Sequence, residues 1–138
     1  AGTAIAARSV APRIRLFGAE PTAGDDTVQS LAAGRRIAIP PPDTIADGAR
    51  TESPGALTFP ILQRDVEAVV RLPDEALVRT MADLLGTMKL LVEPTGALAA
   101  AAAFEGLLPP DVRRVGIILS GGNVDLETLA ALLAGVSR

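Results

Sequence analysis

Four places in the chain carry side chains that could do chemistry. The first is Ser120-Gly121-Gly122-Asn123, which closes an apolar run and precedes an amphipathic segment. At the carboxyl end of a strand, two glycines let a backbone approach a ligand closely, and a following helix N-terminus favours anions. The same four residues also suit a plain strand-to-helix turn, with Asn123 or Asp125 as the helix cap. The second is "GAEPTAGDDT", residues 18 to 27, where Glu20, the carbonyl of Gly24 and Asp26 could converge within one loop. These are hard oxygen ligands, suited to Mg²⁺ or Ca²⁺ and not to zinc. Acids at a helix N-terminus, complementing its dipole, would read the same way. The third is Glu93, a carboxylate between an apolar run and Pro94, able to face a ligand or to end a solvated helix. The fourth is Lys89, the single lysine. A lone lysine invites a Schiff-base role, but near the end of an amphipathic helix it belongs on the solvated face, beside the negative end of the dipole.

Composition narrows what these groups can be. There is no Cys and no His, so thiol catalysis, disulfides and the commonest zinc ligands are excluded. The net charge of −3, with three Phe and no Trp or Tyr, leaves neither a basic stripe nor a ring ladder, and nucleic-acid binding is not expected. No apolar stretch escapes interruption by Gly, Pro or charge, so no membrane span is expected. "AGTAIAARSVAP" lacks the pattern of a signal peptide, and a cytoplasmic location is the expectation. With 138 residues, 49% of them apolar, the chain holds one domain's worth of core.

The elements that must position these groups alternate. Residues 3 to 11 predict a helix stopped by Pro12, and 14 to 18 a short strand. "DDTVQSLAAG" predicts a helix with acids in its first turn and Gly34 at its C-cap. The stretch from 35 to 55 is mostly loop. A helical turn or more follows in "TFPILQRD", and a strand at 67 to 71. Leu77, Met81, Leu84, Leu85 and Met88 lie at helical spacing, with Asp74 and Glu75 at the N-terminal end. Thr95 is placed to cap the alanine-rich helix "GALAAAAAFEGLL". A third strand at 115 to 119 and a helix from Asp125 to Gly135 end the chain. Alternating strands and helices indicate an α/β fold with a mainly parallel sheet and flanking helices. Three strands are few for a sheet covered on both faces, so the chain reads as part of a larger sheet.

In order, "EPTAGDDTVQSLAAG", "PDTIADGARTESPGALTFPIL", "MKLLVEPTGALAAAAA" and "VGIILSGGNVDL" resemble the C-terminal part of threonine/serine dehydratases and serine racemases, pyridoxal-phosphate enzymes of the tryptophan-synthase β fold (fold type II). The resemblance runs over nearly the whole chain. It implies that Ser120 hydrogen-bonds the pyridine nitrogen of pyridoxal 5'-phosphate, with Gly121 beside it. It implies that Asp47-Gly48 lines the cofactor ring, that Glu93 stands near the ring, and that Glu20, Gly24 (through its carbonyl) and Asp26 bind Mg²⁺ or Ca²⁺. A neutral hydroxyl on the ring nitrogen makes a milder electron sink, suited to β-elimination.

The resemblance also implies absences. The family's Schiff-base lysine segment and glycine-rich phosphate loop lie upstream of what Ala1 matches, and Lys89 matches a different family lysine. Residues 1–138 are thus expected to be an incomplete large, cofactor-binding domain without the small domain. The complete enzyme is expected to be a homodimeric lyase converting serine, threonine or hydroxyaspartate to a keto acid and ammonia, or a racemase. This chain, without its N-terminal part, is expected to be inactive. The alternative is a non-catalytic α/β remnant serving binding or assembly.

Overall fold

The computed structural model describes residues 1–136. Six helices flank a two-stranded parallel sheet: α1 (Gly2–Val10), β1 (Phe17–Pro21), α2 (Asp26–Ala33), α3 (Phe59–Asp65), β2 (Ala68–Leu72), α4 (Asp74–Asp83), α5 (Pro94–Phe104) and α6 (Leu126–Leu133). β1 and β2 pair in register from Phe17 opposite Ala68 to Pro21 opposite Leu72. The connection between them carries α2, the long loop and α3, as a parallel pair requires. β1 starts three residues later than the sequence suggests, because residues 11 to 14 form a turn after α1, with the Ile14 amide on the Ala11 carbonyl.

Local signals act where they stand. Gly34 takes φ 67° and closes α2 with its amide on the Leu31 and Ser30 carbonyls, a conformation that favours glycine. Asp74 and Glu75 lie in the first turn of α4. The apolar stripe continues through Leu84, but residues 84 to 88 widen into a π-helical turn that shifts the following side chains around the axis. Leu77, Met81 and Leu84 are buried, whereas Met88 is 58% exposed. Lys89 ends this turn at φ 59°, exposed, and its Nζ donates to the Gly86 carbonyl. It is a helix-end lysine, as its position suggests.

The core is built around α5. On one side Leu98, Ala101 and Ala102 pack with Leu72, Leu77 and Ala46; on the other Ala97 and Ala100 pack with Met81, Leu84, Val92 and Leu129. The alanine run is buried on both sides, and its small side chains allow the close approach.

The predicted strand at 115–119 does not form. Residues 113 to 121 carry no ladder hydrogen bonds, and Val115, Ile117 and Ile118 are 48, 38 and 60% exposed. A groove of about 470 Å³ lies between this segment and residues 13 to 19, with Ala99 and Ala102 of α5 in its lining. Across the groove's end Arg15 bonds Asp111 at 2.8 Å. A strand needs an edge to pair with, and among the described residues none lies beside this one.

Candidate functional site

The first turn of α5 is where the separate signals meet. Pro94 occupies its first position, where a missing amide costs nothing, so the helix starts two residues earlier than a Thr95 cap would allow. Glu93 is the N-cap residue, yet its carboxylate makes no bond to its own helix. Oε2 instead accepts the Asn123 amide at 2.8 Å, and the Glu93 amide donates to the Gly121 carbonyl at 3.1 Å. The freed Thr95 hydroxyl accepts the Gly48 amide at 3.0 Å. Three of the places singled out in the sequence, Asp47-Gly48, Glu93 and Ser120-Gly121, therefore converge on one helix N-terminus. Gly48 and Ser120 are both exposed.

The loop carrying Gly48 is held from below. Asp74 accepts the Thr44 hydroxyl and, at 2.9 Å, the Ile45 amide, and the Arg50 guanidinium donates to the Thr44 carbonyl. At Gly48 an added Cβ would come to 3.1 Å from Thr95 Cγ2, so a glycine keeps the loop flat against the helix. On the far side of the turn, Asp125 caps α6 by accepting the Thr128 amide at 2.8 Å, which holds its carboxyl below the usual aspartate range.

Thr95, Gly96 and Asp74 belong to this arrangement and were not distinguished by sequence. Thr95 reads as a cap, and Asp74 reads as a helix-dipole acid. Pro94 is the available signal for Thr95, because proline at the first helical position moves the cap back to Glu93.

The acidic loop after β1 is a separate place. Glu20 accepts the Thr27 amide at 3.2 Å and the Val28 amide at 3.1 Å, so it serves the N-terminus of α2. Asp25 pairs with Arg71 at 3.1 Å and with Gln29. Asp26 is 1% exposed; its Oδ1 accepts the Thr51 hydroxyl, and its Oδ2 has no hydrogen-bond partner. Burial pushes the Glu20 carboxyl up, with the negative Asp26 adding to it against the helix amides; burial likewise pushes Asp26 up. Among the described residues, no three acidic side chains form a metal cluster. The arrangement offers two carboxylates and, at Gly24, a buried backbone position.

The ligand chemistry fits what is present. Near α5 the turn carries a neutral hydroxyl at Ser120, the Glu93 carboxylate accepts the Asn123 amide, and the Asp47 carboxylate accepts the Gly48 amide. In the acidic loop there is a buried carboxylate oxygen without a partner. A cation would satisfy it and relieve the repulsion between Asp26 and Glu20.

Comparison with known proteins gives a consistent result. The family profile described as "Pyridoxal-phosphate dependent enzyme" matches residues 1–121. An L-threo-3-hydroxyaspartate ammonia-lyase of Saccharomyces cerevisiae is 44% identical over 134 residues, which is 97% of this chain and 41% of that protein. A maize serine racemase structure superposes with a TM-score of 0.87 at 41% identity, covering 96% of this chain and 42% of the other. A serine racemase structure from Dictyostelium discoideum gives 0.79 at 40% identity, covering 91% of this chain and 40% of the other. A threonine deaminase structure gives 0.84 at 42% identity, covering 90% of this chain and 42% of the other. The chain thus spans about two-fifths of the length of the relatives it matches. Among the described residues no helix is long and apolar enough to cross a membrane.

Proposed function

The chain belongs to the pyridoxal-phosphate-dependent enzyme family, and from that premise we propose that it is the C-terminal portion of the cofactor-binding domain of an ammonia-lyase or racemase acting on small hydroxy amino acids. The observation that carries this reading is the convergence of Gly48, Glu93 and the Ser120 turn on the first turn of α5. Serine, threonine and hydroxyaspartate are the substrates considered, since relatives bear the names serine racemase, threonine deaminase and hydroxyaspartate ammonia-lyase.

When bound, pyridoxal phosphate supplies the electron sink for chemistry at the α- and β-carbons of an amino acid. Ser120 would meet the ring nitrogen with a hydroxyl, and Gly48 and Gly121 would offer flat backbone to the ring's surroundings. The group offered to the ring nitrogen would be neutral because it is an alcohol, while the Glu93 carboxylate accepts the Asn123 amide. No side chain of this site is placed as a base, and Lys89 is turned onto the Gly86 carbonyl. The base and the phosphate loop are assigned to the N-terminal part that the relatives possess.

That part is also the proposed partner of the groove. Two backbone edges over an alanine floor complement an extended strand, which would pair with β1 on one side and with residues 113 to 120 on the other. Glu20, the Gly24 carbonyl and Asp26 are proposed to hold Mg²⁺ or Ca²⁺, with water completing the shell; the unpartnered Asp26 oxygen supports this.

The test is complementation. Alone, with pyridoxal phosphate and L-serine, L-threonine or L-threo-3-hydroxyaspartate, the chain is expected to form keto acid no faster than the free cofactor. Co-expressed with the N-terminal region of the Saccharomyces cerevisiae relative that it does not match, it is expected to give a complex that retains the cofactor and turns over. A complex lacking cofactor would overturn the reading and leave an assembly module. Turnover by the chain alone would overturn its assignment as an inactive portion.

A further inference from the structure

The geometry points to Glu93 as the positioning residue of the Ser120–Asn123 turn, and to Gly121 and Gly122 as the glycines that admit Glu93 and the Leu91 backbone to it. This deepens the reading above, since it concerns the same turn and rests on Ser120 facing the cofactor.

Glycines in such a turn suggest a ligand close by, but here protein atoms occupy the space in question. A Cβ built on Gly121 would fall inside contact distance of Glu93 Oε1 and 2.8 Å from Cδ. One built on Gly122 would lie 2.7 Å from the Leu91 carbonyl oxygen. On the facing helix, a Cβ at Gly96 would collide with the Gly121 carbonyl and come to 3.0 Å from the Gly121 amide. Three glycines thus bring two backbones together along residues 91 to 96.

Within that close approach Glu93 is bonded twice, through its amide to the Gly121 carbonyl and through its carboxylate to the Asn123 amide. A carboxylate at an N-cap ordinarily bonds the amides of its own helix; this one turns away to the loop instead. The segment before Ser120 has no ladder hydrogen bonds to fix it. The clamp by Glu93 on one side, with the Asp125 cap on the other, therefore sets where the Ser120 hydroxyl stands.

The test is a double-mutant cycle on the 138-residue chain, without cofactor, read by urea unfolding and by hydrogen exchange of the Asn123 amide and of the residue-93 amide, which donates to the Gly121 carbonyl. Gly121→Ala is expected to weaken the parent strongly and to do far less in a Glu93→Ala background, where the colliding carboxylate is gone. Glu93→Ala is expected to lower Asn123 protection about tenfold, and Glu93→Gln, which keeps an acceptor, to restore most of it. A role in helix capping alone would lower the unfolding midpoint without a selective change at Asn123 and at the residue-93 amide, and that result would overturn the inference. Additive substitutions, or unchanged Asn123 exchange in Glu93→Ala, would overturn it too. If Gly121→Ala does not fold, the double variant must; its failure to fold also counts against the inference. Cofactor takes no part in these measurements, so an additive cycle leaves the pyridoxal-phosphate reading standing, and failed complementation leaves the cycle intact.

Discussion

The amide of Gly48 donates to the hydroxyl of Thr95 at 3.0 Å, joining the loop after the proline-rich stretch to the first turn of α5. Thr95→Val removes the acceptor while nearly keeping the shape. The Gly48 amide also donates to Asp47 Oδ1 at 2.8 Å, so it keeps that acceptor, and the expected loss is at most about 1 kcal/mol. Urea midpoints should show it, with faster hydrogen exchange at Gly48; Thr95→Ser should behave like the parent. Unchanged exchange in Thr95→Val would remove this bond from the account.

Asp74 does more than complement the dipole of α4. It accepts from the Thr44 hydroxyl and the Ile45 amide, and Thr44 is buried. Asp74→Ala is expected to cost about 2–3 kcal/mol, because bonds to a charged acceptor are lost and a buried hydroxyl is left without its partner. Glu75→Ala, in the same first turn, is expected to cost far less. Equal losses in the two variants would reduce Asp74 to a dipole effect.

If Glu20, Gly24 and Asp26 hold a divalent cation, Mg²⁺ or Ca²⁺ should raise the melting temperature above that in NaCl of matched ionic strength, and increasingly so above its dissociation constant. Asp26→Ala should abolish the increment. A parent that shows none, or a mutant with an equal one, counts against the site and leaves Glu20 as a helix cap.

Asp125 accepts the amide and the hydroxyl of Thr128, and these bonds hold its carboxyl below the usual range. The unfolded chain lacks them, so it takes up the proton first as pH falls. The stabilisation is therefore full above the ordinary aspartate range and is lost as pH drops through the lower folded-state value. The stability gap between the parent and Asp125→Ala is expected to be constant near neutrality and to close in acid. A gap that widens in acid would contradict the capping role.

Helix positions were legible where a helix carried its own punctuation: Gly34 after α2, Asp125 before α6, the acids opening α4; at α5 the cap is Glu93 and not the expected Thr95. What failed depended on neighbours. Residues 115 to 119 have a strand's composition but lack a ladder, since pairing is a property of two segments and not of one. Met88 carries the right spacing, yet the π-helical turn moves it off the buried face, and no residue type in 84 to 88 announces such a turn. The residues that meet at the first turn of α5 were named through the likeness of four segments to one family, and their roles toward a cofactor stand as proposals. Their wiring was not legible, because the links from Glu93 to Asn123 and from Thr95 to Gly48 join positions 30 and 47 residues apart.

The groove between residues 13–19 and 112–118 also bears on how this polypeptide behaves in a tube. Two open backbone edges flanked by Val115, Ile117 and Ile118 form a template for any extended chain, including other copies of the same one. Self-pairing depends on concentration, so dilute samples should stay dispersed where concentrated ones gel or precipitate. If a strand of the proposed N-terminal portion fills the groove, its presence during synthesis would compete for the same edges, and order of assembly, not only final fit, would decide the yield of folded material.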